Sequence, residues 1–166
     1  MTPGGRVQVN ADVSSAITAS LDPEVARRAV EEAMRVAGRE TGPAGAEVSL
    51  RITDDAEMHR LNRDYRGVDG PTDVLSFSFV ADQTGPRHVQ PPDLPLQLGE
   101  IAVSYPRVER QAEELGHSAD MELAWLIVHG TLQLIGYGHD TDEAASRMEA
   151  LEREALRSLG YLPDVP

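Results

Sequence analysis

Two histidines bracket the segment HGTLQLIGYGH, residues 129–139. His129 and Gln133 stand four residues apart, so on a helix their side chains share one face. Between Leu123 and Ile135 the only polar side chains are His129, Thr131 and Gln133. A helix apolar nearly all round is buried, and a buried imidazole or amide without a partner costs about 1–3 kcal/mol. Thr131 can satisfy itself on a backbone carbonyl one turn earlier; His129 and Gln133 need partners. Gly136 then ends the helix, and the sequence Gly136-Tyr137-Gly138 permits a sharp reversal that returns His139 toward the same face. Two imidazoles and a third donor across such a turn make an open site for a divalent cation. The plainer alternative is a core histidine held by hydrogen bonds. The zinc-peptidase pattern H-E-x-x-H fails, because neither its glutamate nor its second histidine is present. Gly130 costs roughly 1 kcal/mol inside a helix and signals close approach by another backbone or a ligand.

The elements that must position these residues are legible in outline. VQVNADV alternates and predicts a first strand, and AEVSLRIT a second through Val48, Leu50 and Ile52. Between them LDPEVARRAVEEAMRVAG predicts a helix with Asp22 as N-cap, Pro23 in its first turn and Gly38 after its end. Its buried stripe is Val25, Ala29, Val30, Ala33 and Val36. DDAEMHRLNRDYRG predicts a second helix, with Asp54 and Glu57 at capping-box spacing and Met58, Leu61 and Tyr65 facing inward. TDVLSFSF is a third strand, with Val74, Ser76 and Ser78 opposite Leu75, Phe77 and Phe79, and GEIAVS is a fourth. Residues 81–97, rich in proline, read as a long loop. Three helices follow: PRVERQAEELG; residues 118–136, capped near Ser118; and residues from Asp140 or Thr141 to Gly160, with Met148, Leu151, Ala155 and Leu159 inside. Strands lead and helices close the chain, which indicates an α+β fold, a single domain over residues 1–166 with about four strands in a mixed sheet covered by helices. The strand order is not readable from spacing.

Composition narrows the setting. The formal net charge is −13 and the hydrophobic fraction 40%, so the chain is neither disordered in composition nor drawn to phosphate backbones at long range. Nucleic acid, if handled, requires a local basic patch, a bound cation or a protein partner. The absence of cysteine removes disulfides and thiolate sites and fits a reducing compartment. The first ten residues lack a signal-peptide core, and the longest apolar run, LAWLIV, is too short to span a bilayer, so a cytoplasmic protein with no membrane partner is expected.

Taken together these residues resemble the YbeY family of bacterial endoribonucleases, or rRNA maturation factors. The family signature H-G-x-L-H-L-x-G-Y-D-H stands here as HGTLQLIGYGH, LNRDYRGVDGPTDVLSFSF resembles a second block and LGEIAVS a third, and AEELGHS and RMEALERE also fit. The resemblance spans about residues 46–157. It implies a zinc-dependent hydrolase with three histidine ligands, acting on single-stranded RNA at the 3′ end of 16S rRNA. The small ribosomal subunit would be its partner, with a ribosomal protein or assembly GTPase beside it. Position by position, His129 and His139 match ligands, Gln133 stands in place of the middle histidine and Gly138 in place of aspartate. Arg66 matches an arginine implicated in activity, while Thr72, Asp73 and Ser76 match the block beside the metal cleft.

The amide at Gln133 is the departure. Its oxygen is a weak, hard donor where imidazole is a good zinc ligand. Gln133 can ligate through that oxygen, a carboxylate such as Asp140 can replace it, or the site can stand largely empty with Gln133 bonded to His129 or water. The last case opens the alternative of a non-catalytic ribosome-assembly factor with a degenerate metal site. Arg60, Arg63 and Arg66 recur every three residues; for Arg60 and Arg63 the preferred reading is a solvated face paired with Glu57 and Asp64. His117 reads as a helix C-terminal histidine favoured by the dipole, His59 and His88 as surface residues, and Trp125 and Tyr137 as packing.

Overall fold

The computed structural model describes residues 6–18, 21–39, 43–79 and 94–161. Four strands and five helices follow in chain order: β1 (Val7–Val13), α1 (Pro23–Val36), β2 (Ala46–Thr53), α2 (Asp55–Arg66), β3 (Val74–Ser78), β4 (Leu96–Ser104), α3 (Tyr105–Leu115), α4 (Ala119–Leu134) and α5 (Asp142–Ser158). The strands form one sheet in the order β1-β2-β4-β3. β1 runs parallel to β2 and β2 to β4, while β3 closes the edge antiparallel to β4. The expected mixed four-stranded α+β architecture is therefore the observed one.

Local chemistry explains the boundaries. The Asp22 side chain accepts from the Glu24 amide, Asp54 from Glu57, Ser118 from Met121 and Thr141 from Ala144, so each of α1, α2, α4 and α5 begins where a side chain caps an orphan N–H. Thr141, not Asp140, is the cap of α5. α2 stops immediately after Arg66 because Gly67 turns left-handed, at φ 70°. The fourth strand starts at Leu96, three residues before the expected point, so Leu96 and Gln97 belong to the sheet. The remainder of the expected loop, up to residue 93, lies outside the described residues, as does His88.

One face of the sheet carries the main core, where Val48, Leu50, Ile101 and Val103 meet α1, α4 and α5. The other carries a smaller cluster of Met58, Leu75 and Ala102 beneath α2. Strand alternation produces this split on β3: Leu75 and Phe77 turn to α2, whereas Ser76 and Ser78 hydrogen-bond to α4. α4 is almost wholly buried and lies against α1, α3, α5, β3 and β4. Gly130 is the point of closest approach: a Cβ there would sit 3.0–3.2 Å from three side-chain carbons of Ile101. The close neighbour is thus a strand side chain. Thr131 bonds the Ile127 carbonyl at 2.7 Å, as its isolation in an apolar helix requires.

Three expectations about facing are corrected. Tyr65 is 70% exposed, and the buried polar residue of α2 is Asn62, whose amide donates to the Gly70 carbonyl at 2.8 Å. Val36 is only partly buried, and Ala26 and Met34 complete the stripe of α1. Trp125 is 38% exposed, and its indole N–H donates to Glu152, so it packs at the margin of α4 and not in the core. No described helix is long and apolar enough to cross a membrane.

Candidate active site

A cavity of about 400 Å³ opens between the start of β3, the end of α2 and the C-terminal half of α4. Arg66, Thr72, Asp73, Ser76, His129, Gln133 and His139 all line it. Every residue singled out from the sequence as ligand, catalytic group or cleft residue therefore reaches one space, although they come from four separate segments. Asp140, the carboxylate weighed in place of the amide, does not line it.

α4 supplies the rigid part. His129 and Gln133 project from its one polar stripe, and helix burial fixes both backbones. His129 Nδ1 lies 3.2 Å from one carboxylate oxygen of Glu152 and 3.5 Å from the other. A carboxylate only accepts, so Nδ1 carries the proton and Nε2 keeps its lone pair. Glu152 is buried on α5 and also receives the Trp125 indole N–H, at 3.3 Å. This arrangement is the carboxylate–histidine support typical of metal ligands. Glu152 was not distinguished in the sequence, where it is one more acidic residue in RMEALERE; the i+23 spacing from His129 carries no helical signal.

The Gly136–Gly138 turn brings His139 back beside His129, with ring centroids 6.1 Å apart and planes inclined by 33°. Two imidazoles sharing one tetrahedral zinc through Zn–N bonds of ~2.0–2.1 Å stand with centroids about 5 Å apart, so these rings must close by about 1 Å to hold one ion between them. Gln133 Oε1 accepts from the Ser76 hydroxyl at 2.6 Å, and not from His129. A hydroxyl also accepts, so rotating the amide by half a turn keeps this bond through Nε2 and frees the oxygen for the cleft. The donor set fits a cation held by two good ligands and one weak one. Among the described residues no group of three His, Cys, Asp or Glu side chains gathers as a metal site, in this cleft or elsewhere.

Arg66 is the last residue of α2, exposed and turned to the cavity by the Gly67 reversal. Arg63 and Arg60, one and two turns earlier, are taken up by Asp64 at 3.4 Å and Glu57 at 3.9 Å, as expected of a solvated face. Glu57 itself is held chiefly by Arg51, whose hydrogen-bonded guanidinium keeps the carboxyl below its usual range. Arg66 forms no ion pair with any described residue, which leaves its charge available. Thr72 and Asp73 are fixed by the fold: the Thr72 hydroxyl donates to the Val74 carbonyl at 3.3 Å, and the Asp73 carbonyl accepts from the Ser104 amide at 3.0 Å. His59 pairs with Asp69 on the surface. His117 is not left to the helix dipole alone, since its Nε2 lies 2.8 Å from the buried carboxylate of Glu122.

Comparison with known proteins bears on the chain as a whole. The family model described as "Endoribonuclease YbeY" matches residues 12–160. The chain is similar to "Endoribonuclease YbeY" of Chloroflexus aurantiacus, 50% identical over 153 residues that cover 92% of this chain and 95% of that one. The protein of the same description from Roseiflexus castenholzii is 46% identical over 157 residues, covering 93% and 94%. That of Bacillus licheniformis is 41% identical over 139 residues, covering 83% and 88%. A solution structure of a Thermotoga maritima protein superposes with a TM-score of 0.55 at 24% identity, over 90% of this chain and 87% of that one, and shares the fold.

Proposed function

Because the chain belongs to the YbeY endoribonuclease family, a family of metal-dependent enzymes, and is by homology a hydrolase of rRNA maturation, we propose that it cleaves single-stranded RNA at the cavity between Arg66 and the two histidines. The natural target is the 3′ end of 16S rRNA on the small ribosomal subunit, in the cytoplasm. The observation that carries this reading is the convergence of Arg66, His129, Gln133 and His139 on one space. His129 and His139 hold a zinc ion, with the Gln133 oxygen as a third, weak ligand. A divalent ion there supplies Lewis-acid polarisation of a phosphoryl oxygen and acidification of a water.

The chain's own residues do the rest. Glu152 fixes the ring and tautomer of His129. Ser76 holds the Gln133 amide, so that its position relative to the imidazoles is set by β3. The Arg66 fork meets the non-bridging phosphate oxygens and neutralises charge that grows on them as the bond breaks. Thr72 and Asp73, on the approach to β3, shape the wall along which the strand lies. A single-stranded substrate suits an open, half-polar cleft at a sheet edge, whereas a duplex would keep its backbone out.

The test is cleavage of matched single-stranded and duplex RNA by the full chain. Single-stranded RNA should be cut, duplex spared, and activity abolished by chelator and restored by zinc. Cleavage indifferent to chelator would remove the metal from the mechanism. Glu152→Gln keeps the shape of its residue and should lower zinc affinity about 10–100-fold, read by competition with a chromophoric chelator. Unaltered affinity would mean that the carboxylate serves only packing.

A further inference from the structure

A second cavity, of about 380 Å³, lies on the other side of the Gly136–Gly138 turn. Its lining includes Gly136, Tyr137 and Gly138 from the turn, Arg39 from beyond the end of α1, and Arg147 from the first turns of α5. Among the described residues no carboxylate lines it. That is unexpected in a chain with 28 acidic residues and 15 basic ones, all arginine. Six of those arginines are neutralised at short range: Arg27 by Glu24 and Glu31, Arg35 by Glu32, Arg51 by Asp12 and Glu57, Arg107 and Arg110 by Asp55, Arg153 by Glu149. Arg39 and Arg147 form no ion pair with any described residue. Two exposed guanidiniums from distant segments face one concave space, and like charges brought together without a carboxylate between them are satisfied by an anion from outside.

We propose that this cavity is a second phosphate subsite for single-stranded RNA, engaging a phosphodiester adjacent to the one that is cut; the inference rests on the nuclease reading above. The two spaces share the turn. Gly138 lines the second and its neighbour His139 lines the first. A strand with one phosphate against Arg66 and His139 therefore crosses only the width of the turn to reach Arg39 and Arg147. The turn itself carries no acidic side chain between Gly136 and His139, and the Asp140 carboxylate, 3.8 Å from where a Cβ of Gly138 would stand, is the one acidic group noted beside that path among the described residues. Tyr137, half-buried in the lining, adds an aromatic surface against which a base can stack. The size lies within the ~300–1,000 Å³ usual for ligand sites. Guanidinium forks, rather than ammonium groups, match phosphate oxygens two at a time.

The test is binding of a short labelled single-stranded oligonucleotide to the full, metal-free chain in excess chelator, where nothing is cut, across a series of salt concentrations. Arg39→Ala combined with Arg147→Ala should weaken binding about tenfold. It should also lower the slope of log affinity against log salt by about 1.4, the value for two lost contacts to a single strand. Arg28→Ala combined with Arg157→Ala removes the same charge from positions that line neither cavity, and should bind like the wild type. Wild-type affinity and slope in the first pair, an equal loss in the second pair, or no binding by the wild type would each overturn the subsite. Cleavage is read separately in chelator-free buffer. Absent cleavage with the binding pattern intact refutes the nuclease reading alone, and cleavage with binding indifferent to the first pair refutes the subsite alone.

Discussion

Gln133→His should bind zinc at least ten- to a hundredfold more tightly than the wild-type chain. Support changes outside the ligand set already move metal affinity by about 10–100-fold, and this substitution replaces a neutral amide oxygen by an imidazole within the set itself. The helix face is right for it: residue 133 stands one turn from His129 on buried α4, so a ring there needs no movement of backbone. The Ser76 hydroxyl, which now donates to the amide at 2.6 Å, remains half-exposed in the cleft and can turn to water. Competition titration and metal content by mass spectrometry, on protein purified without chelator, read the effect. Equal affinity in both proteins would show that residue 133 is outside the ligand set. Little zinc in the wild type, restored by the substitution, would favour an assembly factor whose metal site has decayed.

Arg66→Ala should reduce kcat/KM for RNA cleavage about 10²–10³-fold, as loss of one preorganised donor to developing charge does, with zinc content unchanged. The split between the two readouts isolates the role. Arg66 makes no hydrogen bond with either imidazole and ends its helix at an exposed position, so its removal leaves the core and the donor set intact. Arg60→Ala and Arg63→Ala provide the comparison, because their charges are already partnered by Glu57 and Asp64. Full activity in Arg66→Ala would withdraw the phosphate-stabilising role.

The parts of the fold that were legible in the sequence are those governed by near neighbours. Asp22, Asp54 and Ser118 announce helix starts because a cap bonds an amide two or three residues on. β2 announces itself because alternate residues meet alternate faces. The candidate ligands were found through chemistry that has a spacing, His129 and Gln133 one turn apart and His139 after a glycine turn, whereas Arg66, Thr72, Asp73 and Ser76 were indicated only by the family resemblance. What stayed hidden depends on contacts across the chain. The parallel pairing of β2 with β4 leaves no local trace. Glu152 becomes informative only when α5 lies beside α4. Tyr65 follows the helical period of an inward residue, yet α2 is covered on its inner side by a small cluster, and the ring emerges at the edge, in T-shaped contact with Phe77 at 5.3 Å. Arg39 and Arg147 lie on unconnected elements, and only the glycine turn makes them neighbours.

The two imidazoles of the cleft are mounted differently, and with both as ligands this asymmetry would set how the site exchanges an ion. His129 belongs to a buried helix wedged against β4 at Gly130 and is braced from behind by Glu152. His139 is exposed and stands at the end of a turn with two glycines. One ligand is thus an anvil and the other a latch. Departure of the ion requires movement of the latch alone, at the entropic cost of a few turn residues, whereas capture requires that turn to be drawn in again. Exchange rate would then be governed by the composition of residues 136–138, and equilibrium affinity by residue 133. The two properties are separable in this chain because they reside on different sides of the same helix end.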